Sequence, residues 1–409
     1  MNPIVIIGGG HAGAQLCGSL AEAGLGPQVH LVCAEPLPPY QRPPLSKAFL
    51  KNPAEGPQAH RSDAWYTTAG ITLHLGDAAV AIDRGQQTVT LQSGTALAYQ
   101  QLVLATGARA RQLPGLPAGL ANVVALRNLA DATALRERLG QASSLTVLGG
   151  GFIGLEVAAT ARALGLAVQV IEAQPRLLAR SVSAELADHI LATHRAAGIE
   201  IHLNAQLGAT LHDGQRLQAL TVDGQRLPID LLLLGIGAEP DHGLAAQAGL
   251  VLDNGIVVDS AMRSSDPAIL AIGDVANFPA AAWAPAGSRL RLESVQNAND
   301  QARTAAATLQ GKAAAYAALP WFWSEQGALR LQMAGLLPAA GEAGVSRHRR
   351  PGATPASFSI LHYRGEQLVS VESVNAPMDH MLSRKLLEAG KHPAPAVACD
   401  PAVALKSLV

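Results

Sequence analysis

The sequence predicts an α/β protein with two Rossmann-like dinucleotide-binding domains, one inserted in the other, plus a C-terminal α+β domain. Three observations predict it. "IVIIGGGHAGAQ" (4–15) and "LTVLGGGFIGLE" (145–156) each run from an apolar stretch through a glycine turn into a helical pattern. Each block later closes on an apolar run ending in glycine, "QLVLATGARA" (101–110) and "DLLLLGIGAEPD" (230–241). Beyond Gly311 the pattern changes to strand-like runs such as "SFSILHY" (357–363) and "QLVSVESV" (367–374).

Taken in order, "IVIIG" is a strand, Ala12–Ala23 a helix and "VHLVCAE" (29–35) a second strand. In "PLPPYQRPPLSK" (36–47) closely spaced prolines forbid a regular helix or a central strand. The plan then recurs, with "LTVLGGG" a strand, Phe152–Leu164 a helix and "AVQVIE" (167–172) a strand. "AILAIGDVANF" (268–278) is a strand ending at Gly273-Asp274, and 291–311 hold a helix starting near Ser294 or Asn297. The expected boundaries are 1–109 and 237–311 for the two parts of the first domain, 110–236 for the inserted one and 312–409 for the last.

The totals exclude several classes. Of 409 residues, 49% are hydrophobic and 15% charged, and the net charge is -1, so the chain is neither disordered nor basic enough overall to hold nucleic acid. Cys17, Cys33 and Cys399 have no Cys-x-x-Cys spacing, and the first two fall in a helix and a strand, where buried packing is the expectation. No metal site is expected. Met1 leads directly into a strand, no run reaches the ~20 apolar residues of a membrane span, and three cysteines suit a reducing compartment. A cytoplasmic protein without membrane partners is the expectation.

Gly8, Gly10 and Gly13 form Gly-x-Gly-x-x-Gly between strand and helix. The first glycine permits the turn, the second lets a pyrophosphate approach the backbone, and the third lets helix and strand pack closely. The phosphates then meet the unpaired N–H groups of the helix start. Glu35 ends the next strand, where a carboxylate accepts hydrogen bonds from ribose hydroxyls. Gly149, Gly151 and Gly154 repeat the turn, and Glu172 repeats the acid. Glu172 would repel a 2′-phosphate, which favours NAD over NADP. Arg176 and Arg180 nearby suit either pyrophosphate binding or simple exposure. Two dinucleotides in one chain suggest a relay, in which resident FAD takes hydride from NADH that comes and goes.

At these residues the chain resembles the NADH-dependent ferredoxin reductases of Rieske-type oxygenases and bacterial cytochrome monooxygenases. These belong to the larger pyridine-nucleotide flavoprotein group with the glutathione reductase fold. The resemblance runs from the first strand to the C-terminal domain, through "GGGHAG", "QRPPLSK" (41–47), "LVLATG" (102–107), "GGGFIGLE" (149–156), "AIGD" (271–274), "ESVQNA" (293–298) and "PWFWSEQ" (320–326). "RPPLSK" and "PWFWS" are its more specific parts.

The resemblance implies that Gly8, Gly10, Ala12 and Gly13 hold the FAD pyrophosphate, Glu35 the adenosine ribose and Asp274 the ribityl chain. It places Arg42, Val80, Ala105, Thr106, Gly107, Arg127 and Glu293 at the same cofactor. It begins a helix at Glu293–Gln296 and turns the N–H near Val295 to the flavin C2 carbonyl, where the helix start supplies partial positive charge. Lys47 would lie beside the isoalloxazine and pair with Glu156, either tuning the flavin or serving only as a salt bridge. Trp323 would lie near the flavin, with Trp321 and Phe322 packing the core. Gly149, Gly151, Phe152, Ile153, Gly154, Glu172, Arg180, Gly235, Ile236 and Gly237 would take NADH.

Members of this larger group that reduce disulfides carry cysteines on the helix beside the flavin, and "RPPLSKAFL" has none. The remaining route is outward, one electron at a time, and the resemblance implies an acidic 2Fe–2S ferredoxin docked transiently on basic residues as the acceptor. Candidates are Arg303, Lys312, Arg330, Arg384 and Lys385. The alternatives are a rubredoxin or quinone reductase, or a redox-sensing flavoprotein like apoptosis-inducing factor. A monomer or a homodimer fits each of these readings.

Overall fold

The computed structural model describes residues 3–281, 283–285 and 287–409. Six helices of eleven or more residues are described: α1 (His11–Glu22), α2 (Leu129–Leu139), α3 (Phe152–Ala163), α4 (Ala184–Ala196), α5 (Val295–Leu309) and α6 (Pro377–Glu388). No described helix is long and apolar enough to cross a membrane. The chain forms two compact units, Met1–Arg42 with Pro57–Arg109 and Glu239–Pro320, and Pro43–Gly56 with Ala110–Ala238 and Trp321–Val409.

The first unit is built on a five-stranded parallel sheet, in the order Ile269–Ala271, Gln101–Leu104, Ile4–Ile7, Val29–Cys33, Thr72–Leu75. Ile4 lies opposite both Val29 and Gln101. All four residues of the Ile4–Ile7 strand are buried, which is why its sequence is apolar without alternation. α1 and α5 pack on each other around Gly273, where an added Cβ would come 3.1 Å from the Ala12 methyl. The start of α1, the end of the Ile269–Ala271 strand and the start of α5 therefore meet in one place. Two three-stranded sheets belong to the same unit, Ala79–Asp83 with Thr88–Leu91 and Ala96–Ala98, and Ile256–Val257 with Ala276–Pro279 and Arg289–Leu290.

The second unit repeats the parallel sheet, in the order Ile199–His202, Ala167–Ile171, Ser144–Leu148, Leu231–Leu234, Val123–Val124. Leu145 lies opposite Val168 and Leu231, as Ile4 does opposite its own neighbours. The C-terminal segment adds a five-stranded antiparallel sheet in the order Trp321–Gln326, Leu329–Gly335, Gln367–Val374, Phe358–Arg364, Val345–Pro351. Strand pairing puts Leu361 and Val371 on one face, where they cluster with Leu386 of α6. Phe322 and Phe358 point to the other face, and there meet Phe152 of α3 and His189 of α4.

Several boundaries differ from the sequence reading. Residues 43–56 cluster with the second unit, because Thr160 Oγ1 donates to the Ser46 carbonyl (3.0 Å) and Arg136 bonds the carbonyls of Phe49, Pro53 and Glu55 while stacking on the Phe49 ring. Residues 312–320 stay with the first unit rather than opening the last domain. Tyr316 is buried there, its N–H donating to Ser260 and its hydroxyl to Asn297. Gly237 falls in the second unit, its carbonyl accepting the Arg111 N–H at 3.0 Å. The acid-tipped strands stop at Cys33 and Ile171, so Glu35 and Glu172 stand just past them. Ser294 is the N-cap of α5, accepting from Asn297 N, and Glu293 lies outside the helix.

Candidate nucleotide cradles and active site

In the first unit Gly8 has φ +118°, and an added Cβ there would sit 2.2 Å from the Ala105 carbonyl oxygen. At Gly13 it would sit 2.1 Å from the Gly8 carbonyl oxygen. Those two glycines exist for packing. At Gly10, by contrast, a Cβ would meet nothing within 4 Å. Gly10 is also the N-cap of α1, which has no side-chain cap and no acid in its first turn. The α2, α4 and α5 starts are capped by Asn128, Ser183 and Ser294. An open glycine before an uncapped helix start fits a pyrophosphate.

Around this turn the structure places most of the FAD candidates of the same unit. Glu35 accepts from the Tyr40 hydroxyl on one oxygen and from Arg42 at 2.7 Å on the other. That fixes the carboxylate, with lone pairs remaining for ribose hydroxyls. Thr106 Oγ1 donates to the Asp241 carbonyl (2.5 Å), and Gly107, at φ +73°, accepts from Asp241 N. Asp274 sits on a single turn, Gly273–Val275, and its carbonyl accepts from Arg291, which also pairs with Glu293 at 2.6 Å. Val295 opens α5. Val80 is exposed on the Ala79–Asp83 strand. Arg127 belongs to the second unit, directly before the Asn128 cap.

The second cradle has the same construction. Gly149 has φ +104° with a Cβ position 2.4 Å from the Gly235 carbonyl oxygen, and at Gly154 the clash is 2.5 Å from Gly149. Gly151 is open, its sole neighbour at 3.9 Å, and α3 starts without a side-chain cap. Glu172 accepts from Gly150 N (2.6 Å) and Gln174 N (2.7 Å), so it braces the turn. The Arg176 guanidinium donates to the Ala179 and Val182 carbonyls and ties down the following loop. Arg180 is exposed, as are Ile153 and Gly237, and Ile236 is half-buried. Phe152 packs on Phe322, centroids 4.6 Å apart, which gives it a structural task that the turn motif does not announce.

Lys47 and Glu156 meet as expected, within the second unit. Lys47 Nζ donates to Glu156 Oε2 at 2.6 Å, and the same oxygen accepts from Ser46 Oγ at 2.5 Å. Ser324 Oγ donates to Glu156 Oε1 at 2.7 Å. Glu156 is 4% exposed, and taking a carboxylate so far from water costs several kcal/mol unless donors replace the water. Three donors do so here. The sequence reading missed Ser46 and Ser324, although both stand inside the two most specific motifs, beside Lys47 and Trp323. Trp323 projects to the opposite sheet face from Ser324, its ring 5.6 Å from that of Trp321.

The basic candidates separate. Lys312, Arg330 and Lys385 are exposed, and so is Arg303 although it pairs with Asp300. Arg384 is half-buried over the Trp321 ring. Burial raises the pKa of all three thiols, that of Cys33 to about 12 with the Glu35 charge adding to the effect. Among the described residues no group of three His, Cys, Asp or Glu side chains is placed to hold a metal ion.

Comparison with known proteins agrees with this geometry. The family described as pyridine nucleotide-disulphide oxidoreductase matches residues 2–302, and the reductase C-terminal family matches 321–409. Rhodocoxin reductase of Rhodococcus erythropolis is 43% identical, over 97% of this chain and 92% of its own length. A rubredoxin-NAD(+) reductase of Pseudomonas putida is 38% identical over 91% of this chain and 96% of its own. The crystal structure of the ferredoxin reductase for the CYP199A2 system of Rhodopseudomonas palustris superposes with a TM-score of 0.93 at 41% identity, covering 100% of this chain and 99% of that one. The chain belongs to the pyridine nucleotide-disulphide oxidoreductase family. Within it, the chain is an FAD-dependent oxidoreductase of pyridine nucleotides.

Proposed function

We propose that this enzyme takes hydride from NADH, in preference to NADPH, and passes electrons singly to a 2Fe–2S ferredoxin that feeds an oxygenase. The observation that carries the reading is the duplicated cradle, two open glycine turns each bordered by a carboxylate, in one chain. Bound FAD would supply the chemistry, accepting two electrons as hydride and releasing them one at a time.

The residues bind and orient. The Gly8–Gly13 turn and the α1 start hold the pyrophosphate, Glu35 the ribose and Asp274 the ribityl chain, while Val80, Ala105, Thr106, Gly107 and Arg127 line the cofactor. The α5 start at Val295 would supply partial positive charge to the flavin C2 carbonyl, and Lys47, held by Glu156, would supply a full charge beside the isoalloxazine. The second cradle holds NADH, with Glu172 turned against a 2′-phosphate. None of these residues needs to act as an acid or nucleophile in the hydride step.

The acceptor is supported by the relatives named as ferredoxin and rhodocoxin reductases, and by "RPPLSKAFL", which offers no thiol. The rubredoxin-NAD(+) reductase relative favours a second reading, with rubredoxin as acceptor. One assay separates them. The purified protein should show a flavin spectrum and reduce cytochrome c with NADH only when a 2Fe–2S ferredoxin is added. Equal or faster turnover with rubredoxin transfers the assignment to that acceptor, and a colourless protein that takes up no FAD removes it.

A further inference from the structure

Behind Glu156 lies a line of buried polar side chains that the hydride reaction does not call for. Ser324 Oγ donates to Glu156 Oε1 at 2.7 Å, Gln326 Nε2 donates to Ser324 Oγ at 3.1 Å, and His194 Nε2 lies 2.9 Å from Gln326 Oε1. None of the four is more than 4% exposed. We propose that His194, Gln326 and Ser324 form a one-way hydrogen-bond chain that orients Glu156 and so fixes the place of Lys47. They are positioning residues, contributed by α4 and the Trp321–Gln326 strand to a pair made by α3 and the 43–56 segment.

The direction of the chain follows from its end. An ionised carboxylate only accepts, so the single proton of Ser324 is committed to Glu156. Ser324 must then accept from the Gln326 amide nitrogen, which turns the amide oxygen to His194. His194 must therefore carry its proton on Nε2. Burial lowers the pKa of His194 and holds the ring neutral, so one nitrogen donates without adding a charge. Each donor polarises the next, and all of them favour a fixed carboxylate at the far end. A purely packing role would be served by apolar side chains of the same size, which need no partners.

The consequence for the flavin rests on the reading of Lys47 proposed above, and the experiment keeps the two apart. In the FAD-loaded protein, 15N-labelled lysine gives a Lys47 ammonium signal, assigned by its loss in Lys47→Arg, whose hydrogen exchange reports how firmly the group is held. Gln326→Glu keeps size and shape but offers the Ser324 proton a competing carboxylate. It should speed Lys47 exchange roughly tenfold, as should Ser324→Ala, while Ser324→Thr, which keeps the hydroxyl, should leave it near wild type. The same two disruptive variants should lower the midpoint potential of the bound flavin by about 30 mV, a tenfold change in a two-electron equilibrium. Unchanged exchange in both variants overturns the chain. Altered exchange with an unmoved potential, in these variants and in Lys47→Gln alike, upholds the chain and overturns the placement of Lys47 at the flavin.

Discussion

Glu172 braces its glycine turn, a task that its sequence position does not reveal. Its place after an apolar strand and a glycine turn gave a reason to expect ribose binding. Its hydrogen bonds to Gly150 N and Gln174 N are visible only in three dimensions, and they complicate the obvious test. Glu172→Ala would remove charge and brace together. Glu172→Gln removes the charge that repels a 2′-phosphate and keeps an amide oxygen for Gly150 N, giving up only the bond from Gln174 N. The kcat/KM preference for NADH over NADPH should narrow by about tenfold in that variant, the worth of roughly 1.4 kcal/mol. An unchanged ratio would take cofactor choice away from Glu172. Lys47 and Glu156 were legible as a pair only through the family resemblance, since nothing in either segment alone points to the other. Arg176 was not legible, since nothing in "EAQPRLLAR" tells that its guanidinium folds back on carbonyls six residues away or fewer.

Elements were legible where the pattern is local. α1 and α3 begin within a residue of the expected places, because the glycine turn itself forces the strand to end and the helix to start. What the motif does not reveal is how its glycines divide the work. Gly13 has 2.1 Å of room before the Gly8 carbonyl oxygen, whereas nothing lies within 4 Å of a Cβ at Gly10. Gly13→Ala should therefore push α1 off its strand and destabilise the apoprotein by a few kcal/mol, as overpacking does. Gly10→Ala should leave the apoprotein's thermal midpoint within a degree or two, yet weaken FAD at least tenfold by placing a methyl where the pyrophosphate approaches. Thermal unfolding of the apoproteins together with FAD titration checks both. A Gly10→Ala protein that binds FAD normally would mean that the phosphates lie elsewhere.

At the scale of the whole molecule, composition and repeat foretold the inserted-domain plan, while the membership of residues 43–56 could not be foretold. Ser46 and Thr160 are 114 positions apart, and a contact of that span leaves no periodic trace in either segment. Its effect is to mount Lys47 on the second unit with the Glu156 that holds it. The thiols bear on the electron route at this scale. Cys17 and Cys33 lie in the core of the first unit with raised pKa values, Cys399 is raised and partly buried, and a raised pKa leaves a thiol protonated, hence unreactive, at neutral pH. Iodoacetamide at pH 8 should accordingly label Cys399 at most, and NADH-driven reduction of a one-electron acceptor should continue at its original rate. A disulfide-type route would behave differently, because its reduced thiolate would alkylate rapidly once NADH was present and turnover would stop. Loss of activity that requires both NADH and iodoacetamide would thus place a cysteine on the electron path and overturn the outward, one-electron route.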